Sequence, residues 1–272
     1  MTRNRSCPTH LLLTLLACLT GGCSTAEETD QATSEPNTVG LRLATYNIKH
    51  GLGMDGRIDL ARTSRVLAGL GADIIALQEV DRKATRSGDV DQTAWLAERL
   101  GMHGAFGSFM DFQGGEYGLA ILSKYPIELE TVWRLPDGNE PRVALAVRTH
   151  PPGWEPLTVV GVHFDWVEDD GFRHDQATAT IERIRSLETP WIVLGDFNDT
   201  PGSRTMNAFQ LIGTCARNDD DPSMTFPSDD PGIEIDFIIA GPDSTWVVDD
   251  SDVIPETLAS DHRPVRATLR RR

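Results

Sequence analysis

From residue 41 onward the chain is built of short apolar runs, most of them closing on a polar residue. Leu41–Tyr46 reads as a strand. Leu60, Val66, Leu67 and Leu70 then supply an apolar face at helical spacing, with Asp59 placed as N-cap and Gly71 as stop, so a helix is predicted over Leu60–Leu70. Asp73–Gln78 is the next strand, ending at Glu79, and Asp91 and Gly101 bracket a short helix over Gln92–Leu100. Further strands are predicted at Tyr117–Leu122, Val143–Val147, Leu157–Val162, Ile192–Leu194, Ile235–Ile239 and Val265–Leu269. Ala177, Ile181 and Ile184 mark a helix near Arg173–Leu187. Strands interleaved with helices define an α/β protein, and runs rich in Val, Ile and Leu read as strands buried on both faces. No tandem repeat is evident.

The polar residues that close these runs carry the chemistry. They fall in Ala44-Thr45-Tyr46-Asn47-Ile48, Leu77-Gln78-Glu79-Val80, Val162-His163-Phe164-Asp165, Gly195-Asp196-Phe197-Asn198, Ile235-Asp236-Phe237 and Ser260-Asp261-His262-Arg263-Pro264. Ends of neighbouring strands converge on one edge of a sheet, so acids, amides and imidazoles scattered over about 200 positions are expected to meet in one site. Glu79 follows an apolar strand, where a carboxylate needs a cation or a donor; it reads as a metal ligand or as a strand-end acid facing water. Asp196 and Asn198 lie two apart, so an extended backbone would turn both to one side, whereas an Asx turn leading into Pro201-Gly202 is the other reading. A carboxylate on one nitrogen of an imidazole fixes its tautomer and raises its pKa, the arrangement expected of a histidine that stabilises a phosphorane. Arg142, in Glu140-Pro141-Arg142-Val143, reads as a contact to substrate phosphate or as a surface salt bridge. Cys215 reads as a packing residue, and His50, His103, His150 and His174 as structural or surface histidines.

Taken in order, the six segments resemble the endonuclease/exonuclease/phosphatase superfamily, whose DNase I-like members include nucleases, inositol-phosphate phosphatases and sphingomyelinases. The run Gly114-Gly115-Glu116-Tyr117-Gly118-Leu119-Ala120-Ile121-Leu122-Ser123-Lys124-Tyr125-Pro126-Ile127 is similar to the small bacterial hydrolases of that group, apart from Leu119, which stands where Asn is usual. The resemblance covers roughly residues 41–270 and implies a four-layer α/β sandwich: two mixed β-sheets face to face, flanked by helices, with the active site at one end. It implies Mg²⁺, or Mn²⁺, on Asn47 and Glu79, with Asp261 in the metal-side network. Asp196 would orient or deprotonate the attacking water, Asn198 would hold the phosphoryl group, and His262 with Asp236 and His163 would stabilise the transition state. Glu116 is expected to orient His163, and Glu116, Tyr117 and Arg142 to border the substrate. A metal-dependent phosphoesterase acting on a small or lipid phosphodiester is the implied function. A nuclease, an inositol or sugar phosphatase and a non-catalytic binding module on the same fold are the alternatives.

Composition and charge narrow the partners. At 272 residues, 39% hydrophobic and 24% charged, the chain suits one large core, and a monomeric catalytic domain over 41–272 is the expectation. It carries 25 basic and 41 acidic residues, for a net charge of −16. Leaving out residues 1–40, with two basic and four acidic residues, the charge is still −14. No basic stripe offers itself to a nucleic-acid backbone, and the acidic run Asp165-Trp166-Val167-Glu168-Asp169-Asp170 beside His163 would repel a long polyanion. The start of the chain points to export. Arg3 and Arg5 precede an apolar run over Leu11–Leu19, which is too short for a comfortable membrane span and reads as a signal peptide over 1–22. Leu19-Thr20-Gly21-Gly22-Cys23 resembles a bacterial lipobox, which would make Cys23 a lipidated N-terminus anchored to the membrane; Cys18 is a competing site and plain secretion the alternative. Residues 23–40 are polar and low in apolar content, the makeup of a disordered tether. Of the four cysteines, Cys7, Cys18, Cys23 and Cys215, only the last would remain within the domain, which excludes an internal disulfide there. Trp133, Trp154 and Trp166 are read either as contacts to a membrane interface or as core.

Overall fold

A computed structural model describes residues 40–217, 224–242 and 245–272. The expected leader and all of the expected tether except Gly40, Cys23 included, lie outside the described residues. The elements run β1 (Leu41–Asn47), α1 (Leu60–Leu70), β2 (Ile74–Arg82), α2 (Gln92–Leu100), β3 (His103–Phe112), β4 (Gly115–Ser123), β5 (Ile127–Arg134) and β6 (Val143–Thr149). They continue with β7 (Leu157–His163), α3 (Gly171–Arg185), β8 (Trp191–Asp196), α4 (Arg204–Gln210), β9 (Thr214–Cys215), β10 (Asp236–Gly241), β11 (Trp246–Val253) and β12 (Val265–Arg271).

The strands form two six-stranded sheets, ordered β11-β12-β1-β2-β4-β3 and β5-β6-β7-β8-β10-β9. Both are mixed: β1 runs parallel to β2 and β7 parallel to β8, and the other pairings are antiparallel. The period-2 alternation of strand side chains explains why consecutive positions are apolar. In β1 and β2, Leu41, Leu43, Ile74 and Ala76 join Leu145, Val159, Ile192, Leu194 and Ile238 in the core between the sheets. Their neighbours Ala44, Tyr46, Ile75 and Leu77 turn outward and pack on Leu67 and Leu70 of α1 and Leu96 and Ala97 of α2. On the second sheet Val160, Val162, Val193 and Ile239 pack on Ala177, Ile181 and Ile184 of α3 and Met206 and Phe209 of α4. The result is the expected four-layer α/β sandwich.

The capping signals hold in detail. Asp59 accepts the Arg62 amide at 2.8 Å and Asp91 the Ala94 amide at 2.9 Å, each worth about 1 kcal/mol of helix stability. Gly71 and Gly101 close the two helices in the left-handed conformation. Trp133 and Trp154 are buried, and Trp154 stacks on Trp246 with ring centroids 5.6 Å apart, so neither faces an interface. Trp166 is 59% exposed. Among the described residues no helix is long and apolar enough to cross a membrane.

Candidate active site

Parallel pairing of β1 with β2 and of β7 with β8, together with the antiparallel return of β10 beside β8, brings five of the polar segments to one end of the sandwich. Register places His163 opposite Asp196, and Asp196 opposite Asp236. The sixth segment arrives from the approach to β12. There the Ser260 hydroxyl donates to the Asn47 carbonyl at 2.7 Å and ties the Asp261-His262 turn to the end of β1. Between these ends lies an open cleft of about 510 Å³, lined by Glu79, Tyr117, Glu140, Arg142, His163, Trp166, Asp196, Asn198, Phe226, Ile233, Ile235, Asp261 and His262.

Two backbone details differ from the sequence expectation. β2 does not end at Glu79; it continues to Arg82, and its register against β4 shifts between Leu77 and Val80. Glu79 sits in this bulge at φ +57, a conformation that strains a non-glycine residue, and the bulge turns its carboxylate toward Asn47. Nor does the Asp196–Asn198 pair stay extended. Asn198 has φ +50 and donates its amide to Asp196 Oδ1 at 2.9 Å, an Asx turn, while its side-chain nitrogen donates to the Phe164 carbonyl at 2.9 Å. The turn still presents both residues to the cleft.

Asp196 is the hub. Its Oδ2 accepts from Asn47 Nδ2 at 3.2 Å and lies 3.5 Å from His163 Nε2 and 3.7 Å from His262 Nε2. Asn47 Nδ2 also donates to Glu79 Oε1 at 3.1 Å. Burial, and then the charge of Asp236, raise the Asp196 pKa from 3.8 to about 7. The two histidines are set apart by their neighbours. Burial opposes charge on His262, but Asp236 and Asp196 outweigh it, aided by the 2.9 Å hydrogen bond between Nδ1 and Asp236 Oδ2, and the pKa rises to about 10. His163 is held well below 6.5 by burial, then by Arg142 and His262, so its contact with Asp196 involves a neutral imidazole and is not an ion pair.

Glu116 departs from expectation. It accepts Arg82 Nε at 2.6 Å, does not line the cleft, and makes no hydrogen bond to His163; among the described residues His163 Nδ1 has no partner. Alternation along β4 puts Glu116 on the face opposite its neighbour Tyr117, which does line the cleft. Arg142 is not the surface salt bridge of the alternative reading. It is 2% exposed, its Nη2 lies 3.1 Å from Glu140 Oε2, its guanidinium lies over the Phe109 ring, and Nε and Nη1 have no hydrogen-bond partner among the described residues.

The donors suit a hard divalent cation, which favours carboxylate and carbonyl oxygens. Carboxylate oxygens of Asp196 and Asp236 and a His262 nitrogen lie within 4.8 Å of one another, and Asp236 Oδ1 is buried without a hydrogen-bond partner. Asn47 and Glu79 adjoin Asp196 through the contacts above. Asp261 is engaged otherwise: its Oδ2 pairs with Lys49 Nζ at 2.6 Å. Sequence reasoning missed Lys49, although it stands two residues after Asn47. It also passed over the structural part of Asp165, which is fully buried and accepts backbone amides of Asn139 at 2.6 Å, Glu140 at 3.3 Å and Val167 at 3.2 Å. A carboxylate inside an acidic run gave no signal of burial.

A face-to-face pair of mixed sheets with acids, amides and histidines at one end is the build of a DNase I-like hydrolase. The model of the Endonuclease/Exonuclease/phosphatase family matches residues 44–262, and the chain belongs to that family. The chain is 28% identical over 253 residues to the uncharacterized protein YbhP of Escherichia coli K12, covering 84% of this chain and 96% of that protein. Among solved structures it resembles the endonuclease/exonuclease/phosphatase from Bacteroides vulgatus, with a TM-score of 0.71, 23% identity, and coverage of 86% of this chain and all of that one. It also resembles a mannosyl-6-phosphatase from Bacteroides thetaiotaomicron, with a TM-score of 0.68, 20% identity, and coverage of 84% and 98%. These structural likenesses establish the fold.

Proposed function

We propose that the protein is a divalent-metal-dependent phosphoesterase that hydrolyses a small phosphodiester by direct attack of water. Arg142 carries this reading: a buried, planar guanidinium beside a polar cleft, with two donors that have no hydrogen-bond partner among the described residues, suits bidentate contact with the oxygens of a phosphoryl group. Mg²⁺ or Mn²⁺, held by Asn47 and Glu79, would offset charge on the phosphoryl oxygens and the leaving group. Asp196, with its pKa near 7, takes the proton of the attacking water. His262 remains protonated at neutral pH and donates from Nε2, while Asp236 holds Nδ1. Neutral His163 and the Asn198 amide add donors to the same oxygens. A single phosphodiester charge suits the Arg142 guanidinium and the His262 imidazolium, and the net charge of −16 disfavours a long nucleic acid.

Purified protein should hydrolyse bis(4-nitrophenyl) phosphate faster than plasmid DNA or inositol phosphates, should lose that activity in chelator and should regain it with Mg²⁺ or Mn²⁺. Arg142→Ala should raise KM about tenfold or more. Full turnover in excess chelator overturns the mechanism. Export with a lipid on Cys23 completes the reading; Cys23→Ser should then release the protein from membranes, and an unmodified mature N-terminus elsewhere would refute the anchor.

A further inference from the structure

Beyond its polar floor, the cleft has apolar walls that the chemistry of hydrolysis does not use. Trp166, from the loop after β7, lines the cleft and is 59% exposed, an unusual state for the largest apolar side chain. It is not a loose surface residue. Asp165 is clamped by the three backbone amides named above, its own amide donates to Gln176 Oε1 at 2.9 Å, and Arg173 Nη1 donates to the Val167 carbonyl at 2.5 Å. Both flanking residues are therefore fixed, and the indole is held against water rather than folded inward.

Phe226 and Ile233 line the same cleft and face each other across a bridge, with the Thr225 and Phe226 amides donating to the Ile233 carbonyl at 2.8 and 3.1 Å. This segment is stapled to the histidine turn. The Ser228 amide donates to the Asp261 carbonyl at 2.7 Å, the Ser228 hydroxyl to the Ser260 carbonyl at 2.7 Å, and Arg263 Nε to the Ser228 carbonyl at 2.7 Å. The Phe226 ring accordingly sits 4.9 Å from the His262 ring, while Ile233 stays 41% exposed.

Resting on the phosphoesterase reading, we infer that Trp166, with Phe226 and Ile233, forms a subsite for a planar ring carried on the phosphoester, so that the substrate class is a small ring-bearing phosphoester. Stacking on an aromatic face supplies affinity that depends little on the ring's substituents, and the charges of Glu168 and Asp169, two and three residues after Trp166, disfavour a chain of further phosphates. An aryl group and a nucleobase share this chemistry.

The test is calorimetric binding in Mg²⁺ of the monoester products that such diesters would leave, phenyl phosphate, thymidine 5′-phosphate and methyl phosphate, and of inorganic phosphate. Either ring-bearing ligand should bind at least tenfold tighter than methyl phosphate, and the better of the two identifies the kind of ring. Trp166→Ala should bring that ratio to within about twofold of unity, Trp166→Phe should keep most of it, and indole fluorescence should change with the ring ligands only. Equal affinity for methyl and ring-bearing phosphates, or a ratio that survives Trp166→Ala, overturns the subsite while leaving the phosphoesterase reading intact. Failure of every ligand, inorganic phosphate included, to bind, together with no turnover of bis(4-nitrophenyl) phosphate, would overturn both.

Discussion

Replacing Asp236 by Asn keeps the shape of the buried pair and removes its charge. In the wild type, Asp236 and Asp196 overcome burial and lift His262 from 6.5 to about 10, which corresponds to about 5 kcal/mol in favour of the imidazolium. Asp236 is nearer, 2.9 Å from Nδ1 against 3.7 Å from Nε2 for Asp196, and it also hydrogen-bonds the ring, so it is the stronger of the two influences that oppose burial. In metal-free Asp236→Asn, histidine NMR should therefore show His262 titrating about one to three units lower, the usual effect of one adjacent opposite charge. Turnover should fall about a hundredfold or more, as it should in His262→Ala, where the donor itself is lost. Because the two residues act as one device, the double mutant should lose far less than the product of the single losses. Multiplicative losses would show that they act independently. An unmoved His262 titration would refute the electrostatic account, and near-normal turnover in His262→Ala would remove this histidine from the site.

The same pair fixes a pH dependence of stability. The folded pKa of His262 lies above the unfolded value, so its contribution is complete below about pH 6.5 and is lost as pH rises toward 10; the stability difference between wild type and His262→Gln, from denaturant unfolding of metal-free protein, should shrink over that window. A difference that grows with pH would contradict the assignment. Glu116→Ala should leave kcat and KM within about twofold of wild type, since Glu116 pairs with Arg82 outside the cleft. A hundredfold loss would put Glu116 back in the site. Gly195→Ala should destabilise the fold by at least about 2 kcal/mol, because a Cβ there would lie 2.0 Å from the Val162 carbonyl oxygen, and thermal melts at wild-type stability would show that the β7–β8 approach can relax.

How far the sequence reached depends on how locally each feature is determined. The interior strands and the three longer helices were legible because a residue buried on both sides must be apolar, and a helix end must cap its own amides; Asp59, Gly71, Asp91 and Gly101 announce those ends within a few residues. The missed strands β3, β5, β9 and β11 are the four edges of the two sheets, where neighbours cover fewer faces and the apolar run breaks up. The gathering of Asn47, Glu79, His163, Asp196, Asn198, Asp236 and His262 was readable because each follows or opens an apolar strand. Only the tertiary structure decided how they are aimed. The bulge that turns Glu79 depends on pairing with β4, and the separation of His163 from His262 depends on which buried charges lie beside each imidazole. The failure of Glu116 to reach His163 is likewise a matter of which face a strand turns inward, a one-residue parity settled by the partner strand rather than by the residue itself, and Arg142, just ahead of β6, is buried over the Phe109 ring that β3 brings there.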